Sequence, residues 1–281
     1  MSRSPISVTN ADGERIAVHD LGGAGPPVFV VHATGFCGRA YEFFAAGLAD
    51  TLHCYAIDLR GHGDSPAPRS GNFAWDALAA DLVAVFDHFQ ARPALVFGHS
   101  VGGAATLLAE VAVPGSVARA FLYEPVVFPE EYRHPGGDSP MAGPARRRRE
   151  VFPSRAEALA RYATRPPLGH LRADCLAAYV EHGFADLPDG TVRLKCRAES
   201  EAAVFSQEEA VTIDRMVGVA TPVVVAQGTH RAGPGPGRAA PMIAERLPNA
   251  TLRTYAHLSH LGPLQDPDMV ANDVAEFLSQ G

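Results

Sequence analysis

Ser100 lies at the centre of Gly98-His99-Ser100-Val101-Gly102, a pattern in which a serine can act as a nucleophile. A serine hydroxyl is a weak nucleophile at neutral pH, so it needs a neighbouring base and an exposed position. The two glycines let a strand and a helix meet closely at a sharp turn, where a side chain would clash. The motif therefore predicts a nucleophile elbow, unless the pattern occurs here by chance.

The residues on either side of the motif favour the elbow over chance. Residues 94–97 form a short apolar run that predicts a buried strand, and the apolar residues between 104 and 109 predict a helix. The turn between them would hold Ser100 in a strained conformation with its hydroxyl above the sheet. The same turn should direct His99 away from Ser100, under the sheet.

Seven further segments have the length and the apolar or alternating pattern of strands. They are residues 6–9, 15–20, 27–31, 53–59, 117–123, 222–226 and 251–255. Helices are predicted between several of them, near residues 39–49, 72–90, 239–247 and 269–278. Strands that alternate with helices form right-handed βαβ units, so the sequence predicts an α/β fold with a mostly parallel sheet.

This alternation stops in residues 126–215, where the sequence contains no convincing strand. The segment is rich in Pro, Gly and Arg and predicts several short amphipathic helices. Ser154 and Glu157 have the spacing of a capping box at the start of one of them. We therefore expect a helical cap, residues 126–215, inserted after the sixth strand into a core domain of residues 1–125 and 216–281.

Composition and charge exclude several classes of protein. The chain has 281 residues and a net charge of −7, so we expect no nucleic-acid partner. No apolar run reaches the about 18–20 residues of a membrane span, and the N-terminus lacks the apolar core of a signal peptide. The four cysteines show no C-x-x-C pairing, which favours a reduced, cytoplasmic protein. The sequence leaves open whether the chain forms a homodimer.

Four loops at the ends of predicted strands together resemble those of cap-bearing members of the α/β-hydrolase superfamily. They are residues 32–36 (HATGF), 58–65 (DLRGHGDS), 98–102 (GHSVG) and 258–267 (LSHLGPLQDP). The resemblance covers nearly the whole chain outside the cap and implies an α/β-hydrolase fold. Epoxide hydrolases and dehalogenases of this fold attack with Asp, whereas a serine at this position implies an acyl-enzyme intermediate.

The resemblance also implies which residues assist Ser100. His260 follows the last strand, where the family carries its catalytic histidine, and His257 is the alternative three residues earlier. No cluster of carboxylates or cysteines accompanies these two histidines, so we expect no metal site. His32 and His62 are expected to form hydrogen bonds with the backbone of their own loops.

Acyl transfer also needs an oxyanion hole, usually built from two backbone N–H groups. One should come from Val101, the residue after the nucleophile. By resemblance, the other comes from Thr34 in the loop after the third strand. The family usually has His-Gly where this chain has His32-Ala33, a departure that could narrow the hole.

The acid that supports the histidine is harder to identify. The family most often carries it as Gly-x-x-Asp after the seventh strand, but this loop has Arg231 at that position and no carboxylate. A guanidinium cannot accept the imidazole N–H. Haloalkane dehalogenases and some lactone hydrolases of this fold keep their acid after the preceding strand, which implies Glu124. The alternative is that Glu124 only caps a loop and that Ser100 and His260 form a dyad.

These residues favour a serine hydrolase that acts on a small carboxylic ester or lactone without a cofactor. A non-catalytic binding or sensing protein and a cofactor-free lyase or oxygenase are the alternatives, because one fold hosts many functions. The run Arg146-Arg147-Arg148-Arg149 in the cap is interpreted as a solvated helix face. Recruitment of an anionic substrate or carrier protein by these arginines is the other interpretation.

Overall fold

A computed structural model describes residues 4–130, 139–207, 211–230 and 238–280. Its main sheet has eight strands in the order β1-β2-β4-β3-β5-β6-β10-β11. Their bounds are β1 Ile6–Thr9, β2 Arg15–Gly22, β3 Pro27–Val31, β4 His53–Ile57, β5 Ala94–His99, β6 Val117–Tyr123, β10 Val223–Gly228 and β11 Ala250–Tyr255. The β1–β2 and β2–β4 pairs are antiparallel and all other pairs in this sheet are parallel. The predicted α/β-hydrolase fold with a mostly parallel sheet is confirmed.

Helices cover both faces of this sheet. They are α1 Glu42–Ala46, α2 Trp75–His88, α3 Val101–Ala112, α8 Ala239–Arg246, α9 Gly262–Gln265 and α10 Pro267–Leu278. Within β3, Phe29 and Val31 belong to one apolar cluster and Val28 and Val30 to another. Because successive side chains of a strand point to opposite faces, the sheet is buried on both sides. Apolar runs such as β3 could therefore be recognised in the sequence as central strands.

The segment between β6 and β10, residues 126–215, is called the inserted segment below. Its helices are α4 Ala142–Arg146, α5 Arg155–Ala163, α6 Ala173–Gly183 and α7 Ala198–Phe205. It also contains a small antiparallel sheet of β7 Val151–Phe152, β8 Phe184–Asp186 and β9 Val192–Leu194, in the order β7-β9-β8. The expectation of no strand here was wrong, because strands of two or three residues are too short to show an alternating pattern. Residues 131–138 and 208–210 of this segment lie outside the described residues.

The inserted segment packs directly on the core elements. Val204 in α7 belongs to the same apolar cluster as β3 and α2, and its carbonyl accepts a hydrogen bond from Trp75 Nε1 at 3.0 Å. Tyr179 in α6 belongs to the other cluster, together with Tyr41 and Phe97. The predicted capping box is formed in part, because Ser154 Oγ accepts the Glu157 N–H at 3.2 Å. The division of the chain into core and cap stays a prediction.

Two further observations concern membrane-spanning helices and the cysteines. No helix in the described part of the chain is long and apolar enough to cross a membrane. All four cysteines, Cys37, Cys54, Cys175 and Cys196, are free and buried.

Candidate active site

Ser100 occupies the turn between β5 and α3, and its backbone has φ +56° and ψ −120°. A non-glycine residue rarely adopts a positive φ, so this is a strained turn. A Cβ on Gly98 would lie 2.8 Å from the Gly103 Cα, and a Cβ on Gly102 only 2.4 Å from the Val31 carbonyl oxygen. The two glycines therefore serve different contacts. Gly98 lets α3 approach its own strand, whereas Gly102 lets α3 approach the end of β3.

The structure brings Ser100, His260 and Glu124 together, although 136 residues of sequence separate Glu124 from His260. His260 Nε2 lies 3.1 Å from Ser100 Oγ, and His260 Nδ1 lies 2.8 Å from Glu124 Oε2. The Glu124 side chain is 3% exposed and that of His260 is 30% exposed. This geometry lets the histidine accept a proton from the serine while its other nitrogen donates to a carboxylate.

Glu124 is held at the end of β6 by contacts with β10. Its N–H donates to the Ala226 carbonyl at 2.8 Å, and its Oε1 accepts the Gly228 N–H at 2.8 Å. A Cβ on Gly228 would lie 2.3 Å from the Leu258 carbonyl oxygen, so no side chain fits at this position. The end of β10 therefore supplies an amide donor to the carboxylate that lies on the neighbouring strand. Arg231, at the family's usual acid position, lies outside the described residues.

Val101 and Thr34, the predicted oxyanion residues, lie on two segments that Gly102 brings into contact. Val101 is the first residue of α3, and the first N–H groups of a helix have no acceptor within it. Thr34 lies in a turn that the Phe36 N–H closes on the Ala33 carbonyl at 3.1 Å. The N–H of Thr34 is not used by that hydrogen bond. The oxyanion role of both residues stays a prediction.

His32 and His62 form the loop contacts that were expected of them. His32 Nδ1 lies 2.8 Å from the Ala33 carbonyl oxygen, and its Nε2 accepts the Leu59 N–H at 3.0 Å. Burial lowers the pKa of His32 to about 3, so it is neutral. His62 Nδ1 lies 3.1 Å from the Arg60 carbonyl oxygen, and burial lowers the pKa of His62 as well.

His257 and His99 differ from His260 in their surroundings. The His257 side chain is 56% exposed, and its Nε2 lies 3.7 Å from Asp266 Oδ2. His99 is fully buried, with Nδ1 2.6 Å from Tyr41 Oη and Nε2 2.7 Å from the His260 carbonyl oxygen. Sequence reasoning placed His99 away from Ser100 but found no partner for it, because both partners are distant in sequence.

The arginine run of the inserted segment does not form one solvated face. Arg146, Arg147 and Arg149 are exposed, but the Arg148 side chain is only 19% exposed, so the expectation was wrong for this residue. Arg148 Nη1 donates to Glu201 Oε2 at 2.8 Å. Arg148 lies just after α4, and this helix is too short for helical periodicity to predict which of the four arginines is buried.

Arg148 and Glu201 lie next to the turn that carries Thr34. Arg148 Nη2 also donates to the Tyr179 hydroxyl, which in turn donates to the Gly35 carbonyl at 3.2 Å. A Cβ on Gly35 would lie 2.6 Å from Glu201 Oε1. Although burial acts to lower the pKa of Arg148, Tyr179 and Glu201 raise it above its ordinary value, so the guanidinium stays charged.

One group of described residues has the donor atoms of a cation site. His19, Asp58 and Asp64 each place a ligand atom within 4.8 Å of the others, in a cleft of about 330 Å³. These atoms already have partners, since Asp58 accepts the N–H groups of Gly38 at 2.6 Å and Asp64 at 2.7 Å. Asp58 also accepts from His19 at 2.8 Å. Asp58 therefore connects its own loop to Gly38 and, through His19, to β2.

Comparisons with known proteins agree with this fold. The profile of the alpha/beta hydrolase family matches residues 28–273. A non-heme chloroperoxidase from Streptomyces lividans is 30% identical over 283 residues, which cover 97% of this chain and 99% of that protein. Two solved structures share the fold over nearly their full length. One is E-2-(acetamidomethylene)succinate hydrolase, with a TM-score of 0.81 and 19% identity over 98% of this chain and 99% of that one.

The other is the esterase RhEst1 from Rhodococcus sp. ECU1013, with a TM-score of 0.76 and 23% identity over 99% of both chains. The chain belongs to the alpha/beta hydrolase family. Esterases and other hydrolases are among its structural neighbours, and its sequence relatives include a chloroperoxidase. The family thus hosts more than one chemistry on this scaffold.

Proposed function

We propose that the protein is a serine hydrolase that cleaves a carboxylic ester or a lactone through an acyl-enzyme on Ser100. The observation that carries the proposal is the chain of contacts from Ser100 Oγ to His260 Nε2 at 3.1 Å and from His260 Nδ1 to Glu124 at 2.8 Å. A nucleophile, a base in hydrogen-bond reach and a carboxylate that orients the base are the requirements of this chemistry.

In the first half of the reaction, Ser100 Oγ attacks the carbonyl carbon and its proton moves to His260 Nε2. The bond to the leaving oxygen then breaks, and that oxygen takes the proton from His260. In the second half, water attacks the acyl-enzyme and gives a proton to His260, which returns it to Ser100 as the acid leaves. Glu124 accepts the Nδ1–H throughout and stabilises the transient imidazolium.

The negative charge that forms on the carbonyl oxygen is stabilised by the N–H groups of Val101 and Thr34. Val101 begins helix α3 and Thr34 lies in a hydrogen-bonded turn, so both backbone groups need little reorganisation during the reaction. The inserted segment acts as a cap over this site, because Tyr179 and Glu201 contact Gly35 beside Thr34.

The test is turnover of a p-nitrophenyl ester, together with labelling by a fluorophosphonate probe. Ser100→Ala should lower turnover by about 10⁶-fold and abolish labelling, because the three residues act as a unit. Thermal unfolding should be unchanged, since only one hydroxyl is lost. Ser206→Ala is the matched control, since this serine follows α7 and its Oγ donates to the Ala202 carbonyl at 2.9 Å. Retention of more than a few per cent of activity in Ser100→Ala would reject the mechanism.

The similarity to a chloroperoxidase favours a second candidate function, in which hydrogen peroxide replaces water as the acyl acceptor. Peroxide would attack the acyl-enzyme carbonyl in place of water, and the released peracid can oxidise a halide ion. The measurement is halogenation of a diketone by the protein with acetate, peroxide and bromide. Halogenation that persists in Ser100→Ala would show that it does not pass through the acyl-enzyme.

A further inference from the structure

His99 forms two hydrogen bonds that connect three parts of the candidate site. It is the last residue of β5, directly before Ser100, and none of its surface is exposed. Its Nε2 lies 2.7 Å from the carbonyl oxygen of His260, and its Nδ1 lies 2.6 Å from Tyr41 Oη. Tyr41 Oη also accepts the N–H of Ala33 at 3.2 Å. The network therefore runs from His260 through His99 and Tyr41 to the residue before Thr34.

The chemistry of the partners determines the direction of every hydrogen bond in this network. A carbonyl oxygen can only accept, so His99 Nε2 must carry the proton. In the neutral ring, Nδ1 is then the acceptor and the Tyr41 hydroxyl donates to it. The hydroxyl oxygen keeps a lone pair for the Ala33 N–H. Each atom of the network therefore has one role as donor or acceptor, and each hydrogen bond has one direction.

The network depends on a neutral His99. A second proton on the ring would remove the acceptor of the Tyr41 hydroxyl. Burial lowers the pKa of His99 well below its ordinary value, and the nearby His260 lowers it further. The imidazolium that forms on His260 during turnover thus meets a partner that stays neutral. His99 can hold the His260 backbone without competing for its proton.

His260 lies in a loop, so its position depends on such contacts. The preceding residue, Ser259, has other hydrogen-bond partners. Its carbonyl accepts from Tyr123 Oη at 2.8 Å, and its N–H donates to Gln265 Oε1 at 2.8 Å. The bond from His99 acts on the carbonyl of His260 itself. The imidazole and this carbonyl belong to the same residue, so a shift of one moves the other relative to Ser100.

We propose, on the basis of the function proposed above, that His99 is a positioning residue. It holds the backbone of His260 at the distance that Ser100 requires and, through Tyr41, couples this position to the loop of Thr34. Its contribution should appear in kcat, because a misplaced base slows proton transfer while the ester still binds. A purely structural role would instead lower stability and leave the kinetics of the folded fraction unchanged.

The experiment compares two variants that each keep one arm of the network. In His99→Gln, the longer amide reaches the position of Nε2 and donates to the His260 carbonyl. In His99→Asn, the shorter amide reaches only the position of Nδ1 and accepts from Tyr41. Both lose one buried hydrogen bond. Thermal unfolding of both variants then shows how much the smaller side chain of His99→Asn lowers stability. The readouts are kcat and KM for a p-nitrophenyl ester and the rate of fluorophosphonate labelling.

We expect His99→Asn to lower kcat and the labelling rate by about 10- to 100-fold with KM unchanged, and His99→Gln to stay within about threefold of the original protein. Equal kcat in both variants, or a lower kcat in His99→Gln, would overturn the proposal. Should both fail to fold, Tyr41→Phe removes only one hydroxyl. It should lower kcat about 3- to 10-fold at constant KM, and an unchanged kcat would overturn the proposal.

Failure of the proposed function can be told apart from failure of this inference. Absence of Ser100 labelling in the unsubstituted protein rejects the hydrolase mechanism, whatever the His99 variants do. Normal labelling of that protein, combined with no difference between His99→Asn and His99→Gln, rejects only the role of His99.

Discussion

The core loops and the inserted segment both bury ionisable side chains beside the candidate site, but they neutralise them by different means. In the core, His32, His62 and His99 are fully buried and uncharged, and each bonds to at least one backbone carbonyl. In the inserted segment, Arg148 keeps its charge and pairs with Glu201 on another helix. The three core histidines thus rely on neutral rings with backbone partners, whereas Arg148 of the segment relies on an opposite charge.

The difference indicates how firmly each region is held. The carbonyls of Ala33 and Arg60 lie in the loops that follow β3 and β4. The carbonyl of His260 lies next to Ser259, which Tyr123 and Gln265 hold, so the core histidines bond to restrained backbone. The Arg148–Glu201 pair joins the residues that follow α4 to α7, two short helices of the segment. We therefore expect substitutions in the core loops to affect catalysis and acid stability strongly, and those in the segment to have smaller effects.

Apart from the loss of Ser100 itself, the largest effect should come from Glu124, the buried carboxyl side chain at the end of β6 that bonds to His260. Glu124→Gln should lower turnover by about 10²- to 10⁴-fold without unfolding the protein, because the amide can present its donor to His260 and favour the wrong tautomer. Steady-state kinetics with a p-nitrophenyl ester measure this. Glu110→Gln is the control, since Glu110 accepts the Gly115 N–H at the opposite end of α3 from Ser100. Unchanged rates in Glu124→Gln would leave a Ser–His dyad.

The second effect is acid sensitivity of the core. Burial lowers the pKa values of His32, His62 and His99 in the folded state, so below pH about 6.5 the unfolded chain binds more protons. The contribution of these histidines to the free energy of unfolding is fully present above that pH. It decreases as the pH drops below it, by up to about 1.4 kcal/mol per pH unit for each histidine.

Urea unfolding between pH 7.5 and pH 5 measures this slope. His62→Gln should reduce it, because it removes one of the buried histidines whose pKa is lowered. His257→Gln is the control and should leave it unchanged, because the His257 side chain is 56% exposed. A slope that does not respond to His62→Gln would contradict the assignment of acid sensitivity to the buried rings.

A smaller effect is expected in the inserted segment. Glu201→Gln leaves Arg148 without its carboxylate and should lower the free energy of unfolding by about 1–3 kcal/mol, less than for a fully buried pair because Arg148 is partly exposed. The double variant Arg148→Met with Glu201→Leu should recover most of this loss, since it removes both charges. Urea unfolding distinguishes the variants. A double variant no more stable than Glu201→Gln would mean that the loss comes from packing.

The smallest effect should come from Lys195, whose ammonium pairs with Asp64 at 2.6 Å between the segment and the core. Both side chains reach solvent, so Lys195→Met should change the free energy of unfolding by no more than about 1 kcal/mol. The difference should vanish in 1 M salt, which screens such pairs. A larger, salt-independent loss would indicate that the segment is held mainly by this ion pair.

Sequence reasoning succeeded where local pattern determines structure. The strands of the main sheet and the elbow could be predicted, because apolar runs, glycines and turn residues lie within a few positions of one another. Glu124 was expected as the partner of His260 from the resemblance to the family. In the structure the strands that precede these two residues, β6 and β11, lie on either side of β10. The roles of these residues in catalysis stay predictions until the variants are measured.

Prediction from the sequence failed where hydrogen-bond partners are distant in the chain and where a strand is short. Strands β7, β8 and β9 contain two or three residues each, which leaves no period to detect. Arg148 is turned inward by Tyr179 and Glu201, which are 31 and 53 residues away. The partner of His99 lies 161 residues later in the chain. Such contacts arise from tertiary packing and have no local signature.

Among the described residues, only Gln90, Ser100 and Glu124 are non-glycine residues with a positive φ. Glycine adopts such angles without penalty, so Ser100→Gly or Glu124→Gly would relieve about 1–3 kcal/mol of backbone strain. A library screened for heat resistance alone would therefore enrich glycine at the two positions where the proposed chemistry needs a hydroxyl and a carboxylate. Engineering this protein for durability must select for turnover at the same time.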